Sequence, residues 1–286
     1  AELERKLAAA ARRGRLPKVL IPVHFAGQPC RMDVIGELAA RYGVTVIEDA
    51  SHAIGARFQG RPVGSGDRSA MTVFSFHPVK IVTTGEGGMI VTNDAALARA
   101  VRRLRTHGIT RDPAEMAGPS EGPWYYEQIE LGWNYRITDI QAALGASQME
   151  RLEAFVARRS ALVARYDAKL AALPLVLPHR DADVRSAHHL YVVRVDRART
   201  RRRRADVFRG LRARGIGVNV HYIPIPAQPY YQRLGFTREQ VPRANAYYED
   251  AISLPLFPDM SDADVDRVVA ALAEELAMGD RDAEHA

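Results

Sequence analysis

Four short apolar runs punctuate the first hundred residues: KVLIPVHF (18–25), VTVI (44–47), MTVFSF (71–76) and GGMIVT (87–92). Between the first two lies a helical pattern, with Ile35, Leu38, Ala39 and Tyr42 on one face and Gly43 as its stop. After the fourth, Asn93-Asp94 caps a predicted helix reaching to about Thr106. Apolar runs without alternation are the mark of strands covered on both faces, so the pattern predicts a parallel, doubly covered α/β sheet.

From Ile137 the pattern changes. Ile140, Leu144, Met149, Leu152, Phe155, Val163, Tyr166 and Leu170 mark one long helical stretch that Pro174 and Pro178 end. A strand over His189–Val195, a helix near Ala205–Arg214 and a strand over Val218–Ile223 are expected next. Helices over Pro242–Ile252 and Ser261–Met278 follow. This predicts a large α/β domain over 1–155 and a small α+β domain over 156–286, and no internal repeat is visible.

Composition removes several alternatives. The 286 residues are 47% hydrophobic, too apolar for a disordered chain. One cysteine, Cys30, cannot pair within the chain and fits a reducing, cytoplasmic setting. No apolar run reaches the roughly 18 residues of a membrane span. Ala1–Arg15 lacks the apolar stretch of a signal peptide and reads as the last turns of a surface helix. The formal charge is +6, and only Lys6, Lys18, Lys80 and Lys169 are lysines among 40 basic residues. Six arginines between Arg197 and Arg204 raise nucleic-acid binding, but no aromatic RNA signature or helix-turn-helix pattern accompanies them. The run reads as a solvated loop.

Lys80 stands out, because lysine is seldom buried unless paired, and this one follows a core strand among apolar neighbours. Burial would lower its pKa and free the amine as a nucleophile; the alternative is a lysine that reaches solvent from a loop. The second feature is Glu48-Asp49-Ala50-Ser51-His52, at the end of a strand where open α/β sheets bind ligands. Its carboxylates could orient a base, pair with a cofactor or, for Asp49, cap a helix. Metal binding is the weaker option, since His24 and His52 have no obvious third ligand. Together the two features suggest pyridoxal 5′-phosphate, which needs a lysine for its Schiff base and a carboxylate to keep its ring nitrogen protonated. Ser75 and nearby amides could hold the phosphate.

EDASHAIGA (48–56), GRPVGS (60–65), TVFSFHPVK (72–80), TTGEGGMIVTND (83–94), WNYRITDIQAALG (133–145) and NVHYIPIP (219–226) occur in that order. In this the chain resembles, over essentially its whole length, the DegT/DnrJ/EryC1/StrS sugar-nucleotide aminotransferases. PVHFAGQPC, SFHPVK and RTHGIT look like the branch that makes UDP-4-amino-4,6-dideoxy-N-acetyl-β-L-altrosamine for pseudaminic acid. The resemblance implies a fold-type I pyridoxal phosphate transferase, like aspartate aminotransferase, and a cytoplasmic homodimer. Lys80 would carry the cofactor and shuttle a proton, Asp49 would face the ring nitrogen, and His52 the ring or its 3′-oxygen. Ser75 would bind the phosphate, and Asn134 would reach the phosphate in the other subunit. His77, His107, His221 and Tyr222 would face a UDP-linked 4-keto-6-deoxy-N-acetylhexosamine, with glutamate as amino donor. His107 could instead be a polar loop residue, and Tyr222 a core aromatic. The family carries a further upstream segment with a phosphate cradle and a ring-stacking aromatic. The chain is therefore expected to be an N-terminally truncated member, its large domain incomplete. Two alternatives stay open: a different keto sugar nucleotide (dTDP-linked, or aminated at C3), and an inactive fragment.

Overall fold

A computed structural model describes residues 1–281. The chain divides into two compact units, one of Ala1–Leu152 with Asp183–Ser186, the other of Glu153–Ala182 with the chain from Ala187 onward. The first contains α1 (Glu2–Arg12), β1 (Val19–Leu20), α2 (Met32–Tyr42), β2 (Thr45–Asp49), β3 (Arg57–Phe58), β4 (Arg61–Pro62), β5 (Met71–Ser75) and β6 (Gly88–Val91). After these come α3 (Ala95–Leu104), β7 (Ile109–Thr110), β8 (Glu127–Gln128) and α4 (Asp139–Met149). Met32, Leu38 and Ala39 of α2 bury one face against the β2 region, where Val44 and Val46 are also buried. Gly43 ends α2 in the left-handed conformation, φ 65°, that glycine adopts without a Cβ clash. Asp94 caps α3 as expected, its carboxylate accepting from the N–H groups of Ala96 and Leu97.

The main sheet has the order β1-β2-β5-β6. Its first three strands are parallel, with Leu20 opposite Val46 and Asp49 opposite Val73. The fourth is antiparallel, Ser75 lying opposite Gly88, so the sheet is mixed and not purely parallel. The reason is the connection. Residues 76–87 form no helix, and a parallel return needs a crossover, usually helical. Nor is the sheet doubly covered at its edges. Val19, Ile21 and Val23 are exposed, as are Met89 and Ile90. The predicted strand over 18–25 shrinks to Val19–Leu20 plus one bridge from Val23 to Asp49, because Pro22 lacks an N–H for the ladder. Two small pairings have no counterpart in the sequence reading: the hairpin β3–β4, which a two-residue strand Val184–Arg185 extends, and the hairpin β7–β8.

The second unit contains α5 (Leu152–Leu170), β9 (Leu175–Val176), β11 (Tyr191–Val195, β10 being the Val184–Arg185 strand already described), α6 (Arg204–Ala213), α7 (Pro229–Arg233), α8 (Pro242–Asp250), β12 (Ala251–Leu254) and α9 (Asp262–Arg281). Helices α4 and α5 are separate. The stretch predicted as one helix tightens at Arg151, whose N–H goes to Gln148 O. The sheet order is β12-β11-β9, antiparallel throughout. Leu162, Tyr166, Val193, Leu211, Ile252 and Leu272 belong to its core. Tyr166 and Tyr191 stack there at 4.8 Å, with their hydroxyls on Pro255 O and Asp167 Oδ1.

Three expectations for this unit fail. The predicted helix over 242–252 stops at Asp250, and Ala-Ile-Ser-Leu becomes a fully buried strand. The predicted strand over 218–223 reduces to one bridge between Asn219 and Ser253. There Asn219 exchanges both backbone bonds with Ser253, and its side chain accepts from the N–H of Val220, a local bond to its own backbone. The arginine run is not simply solvated. Arg197 pairs with Asp250 and Glu249, Arg199 donates to Ala172 O, and Arg204 lies 4.8 Å over the Tyr248 ring.

Arg202 and Arg214 reach the buried Glu275 of α9 at 3.0 and 2.9 Å. Gly210 of α6 makes this approach possible, since a Cβ there would stand 2.0 Å from Glu275 Cδ. Gly210→Ala is expected to cost about 1–3 kcal/mol of stability, the usual cost of overpacking, read as a lower urea midpoint. Gly217→Ala, where nothing lies within 4 Å, is the control and should leave it unchanged.

Candidate active site

Strands β2 and β5 run side by side, the end of β2 at Asp49 lying opposite Val73, two residues before β5 ends. Asp49 closes β2, and Ala50 N donates to Val73 O at 2.9 Å, which ties the turn after β2 to β5. Asp49 caps no helix. Its Oδ1 accepts from Ser51 N at 3.0 Å, closing an Asx turn. Ser75 closes β5, and Lys80 follows in a turn where its N–H donates to His77 O at 2.9 Å. Burial holds the Lys80 ammonium below its ordinary range, and the charge of Asp49 pulls it back up. Lysine and carboxylate are therefore electrostatic neighbours, the one in the turn after β5 and the other at the end of β2.

The other residues selected from the sequence fall into three groups. Ser75, His77 and His52 belong with Lys80 and Asp49. The Ser75 hydroxyl lies 3.4 Å from His77 N, His77 Nδ1 lies 3.4 Å from Val79 N, and His77 Nε2 stands 3.8 Å from Glu86. His52 is buried, its ring 6.1 Å from Phe25 and its Nδ1 accepting from Ala26 N at 3.3 Å. His107 and Asn134 lie on two segments that pair with each other. His107 N donates to Trp133 O at 2.8 Å, and Asn134 bridges Thr106. His107 has φ 58°, an uncommon conformation for a residue with a side chain. It is held by Gln128, whose amide donates to the His107 carbonyl at 2.7 Å. His221 and Tyr222 belong to the second unit. There His221 Nδ1 is 2.6 Å from Ser253 Oγ, and the exposed Tyr222 packs edge-on against it at 4.5 Å. Tyr222 is thus no core aromatic.

Two sets of supporting residues were not anticipated. The first carries the Lys80 loop. Gln141, Gly145 and Gln148 share one face of α4. Gln148 Oε1 accepts from Thr83 N at 3.0 Å, and Gln141 Nε2 donates to Glu86 O at 3.1 Å. A Cβ on Gly145 would come within 2.8 Å of Thr84. Gln141 also completes a capping box with Thr138 at the start of α4.

The second set lies behind Asp49. Glu48 is buried and accepts from His24 Nε2 at 2.7 Å, from the Thr72 hydroxyl at 3.1 Å and from the Ser69 hydroxyl. Burial alone would raise its carboxyl, but these hydrogen bonds outweigh it and hold the group below the usual carboxylate range. Parity carried the signal, since Glu48 shares a strand face with the buried Val46 and an inward acid needs donors. A cavity of about 450 Å3 is lined by Pro29, Met32, Glu48, Phe58, Arg61 and Arg68 and includes none of the residues assigned to cofactor or substrate.

Residues 3–273 match the DegT/DnrJ/EryC1/StrS aminotransferase family. The chain is 41% identical over 261 residues to SpsC of Bacillus subtilis, a spore coat polysaccharide biosynthesis protein, covering 90% of this chain and 66% of that protein. It spans 66% of the length of the curated relatives it matches. Among solved structures it is similar to Spr1654 of Streptococcus pneumoniae in its PLP form, at TM-score 0.81 and 31% identity over 91% of this chain and 69% of that one. It is also similar to PseC of Helicobacter pylori, an aminotransferase involved in the biosynthesis of pseudoaminic acid. There the TM-score is 0.84 and the identity 27%, over 92% of this chain and 68% of that one. No helix among the described residues is long and apolar enough to cross a membrane.

Cys30 tests the burial behind Asp49. Burial first, and the charge of Glu48 second, push its thiol up to about 11. Since only the thiolate is nucleophilic, alkylation by iodoacetamide is expected to be slow at neutral pH and to rise as pH approaches about 11. Labelling at neutral pH as fast as that of an unstructured cysteine peptide would contradict the burial.

Proposed function

Because the chain belongs to the DegT/DnrJ/EryC1/StrS aminotransferase family, with the mixed α/β fold of the fold-type I transferases, we propose that it transaminates a keto sugar nucleotide with pyridoxal phosphate as cofactor. The observation that carries this reading is the placement of Asp49 at the end of β2 and of the partly buried Lys80 in the turn that follows the neighbouring strand β5. The donor set fits the cofactor. It offers an amine with depressed basicity, a carboxylate for a cationic ring nitrogen and a hydroxyl, Ser75, for the phosphate. The same reading places His52 against the ring or its 3′-oxygen and Asn134 at the phosphate in the other subunit.

Pyridoxal phosphate, when bound, supplies the electron sink that lets an amino group pass from an amino acid to a keto sugar. Lys80 is the residue that holds it covalently and moves the proton. An amine kept below its ordinary range carries its lone pair more often at neutral pH, so Nζ serves both as nucleophile and as base. Two side chains of α4 hold the Lys80 loop, Gln148 through Thr83 N and Gln141 through Glu86 O.

The finer reading is a UDP-linked 4-keto-6-deoxy-N-acetylhexosamine aminated at C4, with glutamate as donor, in pseudaminic acid or related nucleotide-sugar synthesis. Its support is the similarity to PseC and the motifs PVHFAGQPC, SFHPVK and RTHGIT. His77, His107, His221 and Tyr222 are the side chains this reading assigns to the sugar nucleotide. A homodimer belongs to it as well, supported by the exposed Leu131, Trp133, Tyr135 and Ile140 around Asn134, which are 84, 52, 74 and 85% exposed. A cytoplasmic location is supported by the lone cysteine.

The test is an absorbance spectrum after adding pyridoxal phosphate and desalting, followed by assay with 4-keto sugars linked to UDP or dTDP and glutamate. A retained Schiff-base band that Lys80→Ala abolishes, with turnover of the UDP sugar, is the expected result. A band in Lys80→Ala equal to that of the unsubstituted chain would overturn the role of Lys80. Faster turnover of the dTDP sugar would overturn the UDP assignment.

A further inference from the structure

Two buried histidines of the first unit each receive a backbone N–H on Nδ1. Cys30 N donates to His24 Nδ1 at 3.0 Å, and Ala26 N donates to His52 Nδ1 at 3.3 Å. A backbone N–H can only donate, so each Nδ1 must keep its lone pair. The ring proton of a neutral imidazole then lies on Nε2. For His24 that proton points at Glu48, 2.7 Å away, which is consistent with an ionised carboxylate that also accepts from Ser69 and Thr72.

The two histidines are joined by one turn. Residues 25–27 follow His24 directly, and Ala26 sits in the left-handed region at φ 59°, which points its N–H at His52. A residue with a Cβ holds that conformation only when its surroundings impose it. On one side of the turn the constraint is the His24 side chain, anchored on Glu48 and on Cys30 N. On the other, His24 N donates to Asp49 O at 3.0 Å, which ties the turn to the end of β2. Glu48, His24, the Ala26 amide and His52 form a continuous series of contacts.

We infer that Glu48 is a positioning residue that, through His24 and the 25–27 turn, locks His52 in its Nε2–H tautomer. In that form the Nε2 of His52 is a donor and not an acceptor toward any group that meets it. This rests on the proposed cofactor reading only for the identity of that group. There, a donor from His52 suits the anionic 3′-oxygen of the cofactor and not a group that must itself donate. The locked tautomer is a property of the chain alone. It makes the position of the ring proton on His52 a consequence of a carboxylate that does not touch His52 itself.

The test is nitrogen NMR of the full chain labelled in its histidine rings, near pH 7 and without cofactor, with His52 assigned by its loss in His52→Gln. The expected spectrum has His52 and His24 each in one neutral form, Nδ1 bare and Nε2 protonated. A proton on Nδ1 of His52, an averaged pair of tautomers or an imidazolium would overturn the inference. Glu48→Gln keeps an acceptor for His24 and should preserve the His52 signature. Glu48→Leu removes the anchor and should convert that signature into an average of two tautomers. Should Glu48→Leu not fold, His24→Phe breaks the same link and leaves Glu48 its two hydroxyl donors. An unaltered His52 in a folded Glu48→Leu or His24→Phe chain would show that the relay does not operate. None of these spectra depends on cofactor binding, so a failed cofactor reading and a failed relay are told apart.

Discussion

An amine kept partly out of water, beside a carboxylate, is the interaction around which the first unit is organised. Burial opposes the charge on Lys80 and Asp49 restores part of it, so the basicity of Nζ is a balance between the two. Such a balance survives only if neither side chain drifts. The parallel register of β2 and β5 sets Asp49 opposite Val73, two residues before β5 ends, and the Asx turn at Ser51 fixes the Asp49 carboxylate. The Lys80 loop has no regular structure of its own and depends on Gln141 and Gln148 of α4 for two of its hydrogen bonds.

Among the described residues three buried charged side chains are held in three different ways. Glu48 accepts from two hydroxyls and the His24 imidazole, with no arginine or lysine against it. Glu275 is neutralised by Arg202 and Arg214 and serves to join α6 to α9. Arg159 donates from one nitrogen to the carbonyls of His188, His189 and Leu256, and burial pushes its guanidinium down to about 10. The second and third hold the small unit together, where replacement by apolar residues would be tolerated in principle. The first stands beside the candidate chemistry, where a charge has a use beyond packing.

Much of the site was legible because its signals are local. Lys80 and Asp49 were visible as charged residues closing apolar strands, and their meeting follows once those strands are neighbours. What was not legible depended on partners distant in sequence. The antiparallel turn of β6 follows from a connection without a helix, yet Gly88–Val91 reads the same in either direction. Ala251–Leu254 continues a helical pattern and becomes a strand only because β11 offers it an edge. Similarly, Asn219 turns its side chain on its own backbone, which no periodicity reveals. The support from α4 escaped notice because Gln141 and Gln148 look like surface polar residues until the Lys80 loop lies on them.

The protonation of Lys80 itself is the most direct measure of this arrangement. With only four lysines, reductive methylation with labelled formaldehyde gives a carbon NMR spectrum in which each amine can be titrated. Lys80 is expected to titrate below the ordinary lysine range, and further below it in Asp49→Asn, where the carboxylate no longer offsets burial. Lys80 titrating at the ordinary lysine value, unmoved by Asp49→Asn, would contradict the pairing on which the functional reading stands.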